Sequence, residues 1–154
     1  MVVIYYISSS SARSSRNGGL NIQKLKIRSE NDIFLATSYV RQMMKPLSFS
    51  QADEQKVIVT VLELTRNILD HAEGNGSFGC WTTEAALCIH VTDNGPGIGN
   101  LEEILNGKKD QASRGLGLGL LGAKRLMDEF HLESSKEGTN IIAKKWTNRK
   151  KFKR

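Results

Sequence analysis

The chain has 154 residues, of which 39% are hydrophobic and 25% charged, and a formal net charge of +6. That length fits one domain, whose folding would take roughly 70% of the extended chain's surface out of water, and the composition argues against wholesale disorder. No run of apolar residues is long enough to span a membrane, and the apolar opening from Val2 to Ile7 lacks the basic lead-in of a signal peptide, so a cytoplasmic protein is expected.

Residues 8 to 19 are rich in Ser, Arg, Asn and Gly and too poor in apolar side chains to support packing. Residues 1–19 are therefore read as a flexible Ser-rich leader, with the domain proper occupying 20–147. Asn21 to Arg28 alternates, with Ile22, Leu25 and Ile27 as the apolar members, and predicts an edge strand. Ser29 to Asp32 supplies capping residues for a helix that Pro46 stops, and a second helix is expected from about Ser50 to Ala72. Ser77 to Thr82 and Ala85 to Val91 predict a hairpin around Thr83 and Glu84. The span from Gly99 to Arg114, polar apart from a short helical turn at Leu101 to Leu105, reads as a mobile loop. A helix from about Leu118 to Phe130 and strands over His131 to Ser135 and Thr139 to Trp146 complete the chain. The expected fold class is α+β, a two-layer sandwich in which helices cover one face of a mixed, mostly antiparallel sheet.

Residues 148–154 form a basic tail with five Lys or Arg residues, which leaves the body nearly neutral. The tail is either a solvated appendage or a contact for an acidic partner or nucleic acid. Cys80 and Cys88 match neither a zinc knuckle nor a redox pair in their spacing, and two buried, reduced thiols are expected.

Candidate chemistry sits in three places. On the second helix, Val57, Val61, Leu64, Ile68 and Ala72 fall on one face and form the core stripe. Thr60, Glu63, Asn67, Asp70 and His71 gather opposite, so Glu63 and Asn67 stand one above the other. This is either a solvated face or a wall of a ligand site. As a site, the Asn67 amide oxygen suits a magnesium ion that keeps phosphate and water ligands, and Glu63 can accept the proton of an attacking hydroxyl; Asp70 and His71 are weaker members of the same wall.

Asp93-Asn94-Gly95-Pro96-Gly97 follows a strand, and by itself is a common turn. Its glycines also permit close backbone approach, and Asp93 can accept a hydrogen bond from an adenine amino group. Gly115-Leu116-Gly117-Leu118-Gly119 is harder to explain structurally, because glycines inside a helical stretch cost about 1 kcal/mol each relative to alanine. Converging amides at a helix start give a phosphate cradle over Arg114 to Leu120. Gly117 to Gly122 fits the dinucleotide pattern G-x-G-x-x-G, although a parallel strand should precede it, and the P-loop pattern fails because Ala123 follows Gly122. Lys124 and Arg125 read as helix-surface charges. Thr139 is a turn residue that could offer a hydroxyl to a base edge. An acid, an amide, an acceptor and a phosphate cradle are together what a magnesium–nucleotide site requires, and the chain reads as an ATP-binding domain.

The ordered set Glu63-x-x-x-Asn67, Asp93-x-Gly95-x-Gly97, Gly115-Leu116-Gly117-Leu118-Gly119-Leu120 and Gly138-Thr139 resembles the GHKL (Bergerat-fold) nucleotide-binding family of gyrase, histidine kinases and anti-sigma-factor kinases, over roughly residues 21 to 146. Within that family, Gly119 to Phe130, Glu137-Gly138-Thr139 and Lys145-Trp146 resemble the stressosome switch serine/threonine kinases. The resemblance implies ATP and Mg2+ as cofactors, Glu63 as catalytic base, Asn67 as magnesium ligand, Asp93 as adenine acceptor, and Gly95 and Gly97 in its turn. It further implies the Gly115 to Gly119 loop as phosphate cradle, Thr139 as an adenine-side contact, and residues 98–114 as a lid. The implied substrate is a Ser or Thr on a STAS-domain antagonist protein, with a sigma factor or a downstream phosphatase as further partners. Two other readings stand beside it: a nucleotide-dependent module that sequesters a transcription factor, and a dinucleotide-binding protein.

Overall fold

A computed structural model describes residues 3–7, 23–99 and 119–148. Six strands form one sheet: β1 (Val3–Ile7), β2 (Gln23–Ile27), β3 (Gly76–Thr82), β4 (Ala86–Asp93), β5 (Glu129–Ser135) and β6 (Gly138–Trp146). Their order is β1-β5-β6-β4-β3-β2. All five pairings are antiparallel, so among the described residues the sheet is not mixed. β2 is the edge strand its alternation predicts. Val3–Ile7 corrects the reading of residues 1–19 as one flexible leader, because these residues pair with β5 along the opposite edge. Five residues preceding a Ser-rich run carry too short a pattern to announce a strand, and their partner lies some 130 residues away. The expected loop over 99–114 and the basic tail lie almost wholly outside the described residues.

Among the described residues three helices form a single layer: α1 (Glu30–Met44), α2 (Gln51–His71) and α3 (Gly119–Leu126). At α1 the Asp32 carboxylate reaches back to accept from Arg28 N–H at 2.9 Å and from the Ser29 hydroxyl at 3.3 Å. Ser50 caps α2 by accepting from Asp53 N–H at 3.1 Å. The Ser50 cap satisfies an amide that the first turn of α2 leaves without an intrahelical partner, whereas the Asp32 bonds tie the chain just ahead of α1 to its first turn. Arg66 on α2 grips Glu30 on α1 with two bonds, Nη1 to Oε1 at 2.8 Å and Nη2 to Oε2 at 3.0 Å, and this pairing raises the guanidinium pKa further. α3 stops at Leu126, four residues short of the expected Phe130. The Asp128 amide donates to Lys144 O at 2.9 Å, and Glu129 and Phe130 already belong to β5.

β6 alternates between half-buried and buried positions along its whole length, as a strand covered on one face should. Its covered row is Thr139, Ile141, Ala143 and Lys145, facing Asp93, Val91, Ile89 and Leu87 of β4. Above this row α2 packs between α1 and α3. Leu64, Ile68, Phe78, Phe130 and Leu132 are among the fully buried side chains, each contributing about 1.5–3 kcal/mol. Cys80 and Cys88 are buried and unbridged, and burial pushes their thiols up to about 12 and about 11. No helix among the described residues is long and apolar enough to cross a membrane.

Candidate nucleotide site

α2 brings its acid and amide to the middle of the molecule. Glu63 is 1% exposed and Asn67 9%, with Thr60 and Thr65 also buried. The alternative of a solvated face is therefore corrected for Thr60, Glu63 and Asn67. A helical wheel shows which residues share a face but not what covers it, and here α1 and α3 cover both flanks of α2. A buried Glu and Asn one turn apart in a layer of helices is an arrangement that burial alone would penalise.

Asn67 lines a pocket together with Leu64 and His71 of α2, Val91 and Asp93 of β4, Gly97 and Ile98 of the following turn, and Thr139 and Ile141 of β6. Leu64, Val91, Ile98 and Ile141 supply aliphatic lining, and Asn67, His71, Asp93 and Thr139 supply polar groups, the mixture common to small-molecule sites. Asp93 and Thr139 are directly opposed in the β4–β6 register. Thr139 is thus the second residue of a strand and not a free turn residue. The Asp93 carboxylate accepts from Gly95 N–H, its Oδ1 at 2.9 Å, and from Thr139 N–H. Burial pushes its pKa up, against the lowering influence of those two bonds and of nearby His71.

The turn is built by close approach to the protein's own backbone. A Cβ on Gly95 would stand 2.9 Å from the Ala72 Cα at the end of α2, so Gly95 seats the turn and does not line the pocket. Gly97 has φ +79°, and a Cβ there would lie 2.0 Å from Ser135 O. Gly138, at φ +142°, would place a Cβ 2.0 Å from Asp93 O. Only glycine fits either position. Ser134 completes the arrangement: its Oγ accepts from Ile98 N–H at 3.0 Å and pairs with Thr139 Oγ1 at 3.2 Å. Sequence reasoning missed Ser134 because its role depends on cross-strand geometry.

Gly119 opens α3 with φ +57°, and among the described residues a Cβ there would meet nothing within 4 Å. Backbone amides at a helix start beside α2 suit an anion. Gly115, Leu116, Gly117 and Leu118 lie outside the described residues, so the structure places only the last residue of the expected cradle. The dinucleotide reading requires a parallel β–α–β unit, whereas every described pairing is antiparallel.

Comparison with known proteins agrees with this geometry. Residues 30–145 match the histidine kinase-like ATPase domain. The chain belongs to that family. It is 39% identical over 127 residues to the serine/threonine-protein kinase RsbT of Bacillus subtilis (strain 168), covering 79% of this chain and 94% of that protein. This places it in the switch serine/threonine-kinase branch of the family. In fold it is similar to a crystal structure of the RsbU and RsbW domains of a Mycobacterium tuberculosis protein, with TM-score 0.58 and 12% identity. That match covers 82% of this chain and 32% of the other.

Proposed function

We propose that this kinase transfers the γ-phosphoryl group of ATP to a Ser or Thr of a STAS-domain antagonist, as the enzyme of a cytoplasmic partner switch. The observation that carries the reading is the convergence on one pocket of Asn67, Asp93 and Thr139 from three separated elements, with Glu63 one turn along α2 from Asn67. Asp93 accepts from the adenine amino group, and Leu64, Val91, Ile98 and Ile141 sandwich the ring. The amides leading into α3 from Gly115 to Gly119 hold the phosphates.

Among the described residues no three His, Cys, Asp or Glu side chains converge on one point. A magnesium ion here would be held by the Asn67 amide oxygen together with phosphate and water oxygens, a donor set that suits a hard cation. When bound, the ion neutralises phosphate charge. Glu63 acts as the base that takes the proton from the attacking hydroxyl, and its burial keeps bulk water from competing. Transfer rests otherwise on positioning and charge stabilisation. A sigma factor or a phosphatase would be the partner whose binding the phosphorylation state controls.

The test is Glu63→Gln, assayed with labelled ATP, magnesium and STAS-domain proteins. Phosphate transfer should fall by roughly 10²–10⁴-fold while ATP binding persists. Undiminished transfer by that variant would remove Glu63 as the base. ATP binding without any transfer by the wild type would favour the alternative of a nucleotide-dependent module that sequesters a transcription factor.

A further inference from the structure

We propose that Ser134 is a positioning residue that fixes the direction of the Thr139 hydroxyl and so makes the pocket select adenine over a 6-oxopurine. The inference rests on the nucleotide reading above and goes beyond it by assigning base selectivity to a residue outside the family motifs named above.

The argument is one of hydrogen bookkeeping. Ser134 is 4% exposed and Thr139 7%. Ile98 N–H can only donate, so at 3.0 Å it occupies one lone pair of Ser134 Oγ. The hydroxyl proton of Ser134 then needs an acceptor, and among the described residues its side-chain partner is Thr139 Oγ1 at 3.2 Å. The opposite polarity, Thr139 donating to Ser134, would leave the Ser134 proton buried and unmet, which costs about 1–3 kcal/mol. Ser134 therefore donates and Thr139 accepts. The Thr139 proton is left for the pocket that this residue lines. The chain runs from Ile98 N–H through Ser134 O–H to Thr139 O–H, and each link polarises the next.

The pocket then presents an acceptor, the Asp93 carboxylate, beside a donor, the Thr139 hydroxyl, on directly opposed residues of β4 and β6. Adenine offers the matching pair, the amino donor at position 6 and the acceptor nitrogen at position 1. A 6-oxopurine reverses both, with an acceptor oxygen and an N–H donor. A freely turning threonine hydroxyl could accommodate either pattern at its position, whereas one whose lone pair is engaged by Ser134 favours the first.

The experiment compares dissociation constants for ATP and inosine triphosphate, which reverses the two edge positions without adding a 2-amino group, in wild type, Ser134→Ala, Thr139→Val and the double variant. Wild type should prefer ATP. Ser134→Ala should narrow that preference by about 3- to 10-fold, mainly through weaker ATP binding. Thr139→Val should narrow it comparably, and the double variant no further, because Ser134 acts through Thr139. Equal weakening of both nucleotides by Ser134→Ala would assign it packing alone and overturn the proposal. If Ser134→Ala loses its cooperative unfolding transition, the nearly isosteric Ser134→Cys, a weak donor, takes its place with the same expected narrowing. Wild type that binds neither nucleotide would instead defeat the nucleotide reading itself. A clear ATP preference that survives intact in the variants would defeat only the role given to Ser134.

Discussion

The covered row shared by β4 and β6 carries polar groups at both ends, and the two ends are built on opposite principles. At one end Lys145, 3% exposed, donates to Leu126 O at 2.8 Å and lies 3.7 Å from Asp53 Oδ1 and 3.6 Å from Asp128 Oδ1. It joins the last residue of α3, the first turn of α2 and the bend between α3 and β5. At the other end Asp93 and Thr139 bond to their own turn and to Ser134, yet still face a pocket. Between the two ends lie two apolar pairs, Val91 with Ile141 and Ile89 with Ala143. A polar cluster whose groups face one another holds elements in place, whereas one that faces a cavity is equipped to hold something else.

The sharpest way to break this comparison is Lys145→Met. Removing the cation leaves the Asp53 and Asp128 carboxylates around the space the ammonium held, and breaking a buried ion cluster from one side costs about 3–5 kcal/mol. Chemical denaturation should show a loss of that order, while ATP affinity, measured at a temperature where the variant is folded, should stay within about threefold of wild type. A large fall in affinity with little loss of stability would mean the two ends do not divide the work in this way.

Asp93→Asn should do the reverse. The Asn oxygen can still accept from Gly95 N–H, but its amide would then point hydrogens at Thr139 N–H or at the base amino group, setting donor against donor. ATP affinity should fall by about 10- to 100-fold, while the ligand-free protein should lose less stability than Lys145→Met does. Calorimetry with both variants side by side separates the two ends in one experiment.

Much of this was legible from the chain. The apolar stripe of α2, its start near Ser50, the β3–β4 hairpin and the edge position of β2 follow from local pattern, which acts over a few residues. What was not legible depends on partners distant in sequence. Glu63 reads as part of either a solvated face or a site wall, and only placing α1 and α3 beside α2 removes it from solvent. Thr139 reads as a turn residue until β6 is registered against Asp93. Gly95 and Gly97 read as points of close backbone approach, but that the backbone they approach is the chain's own, at Ala72 and Ser135, depends on the fold. Ser134 carries no motif at all, and the Lys145-Trp146 resemblance says nothing of what Lys145 bonds, since a serine and a lysine in alternating strands become informative only once their cross-strand neighbours are known. Val3–Ile7 escaped for the same reason, its pairing with β5 closing a loop spanning nearly the whole chain.

The smallest expected effect is the pH dependence that Asp93 confers, and it tests the sign of the electrostatics at the ligand end. Burial raises the folded-state pKa of Asp93 above its unfolded value of about 4, so in the ligand-free protein the group contributes stability that is fully present below that unfolded value. The contribution is lost as pH rises through the folded pKa. ATP binding has the opposite sign, because the base amino group donates to the ionised carboxylate, and its affinity should grow over the same window. The increase in melting temperature on adding saturating ATP should therefore widen with pH as the ligand-free protein loses Asp93's contribution. Asp93→Asn should show neither trend. Protonation of the nucleotide itself is common to both proteins and cancels in the comparison. Parallel curves for wild type and Asp93→Asn would take the carboxylate out of base recognition and leave the aliphatic walls of Leu64, Val91 and Ile141 as the main source of affinity.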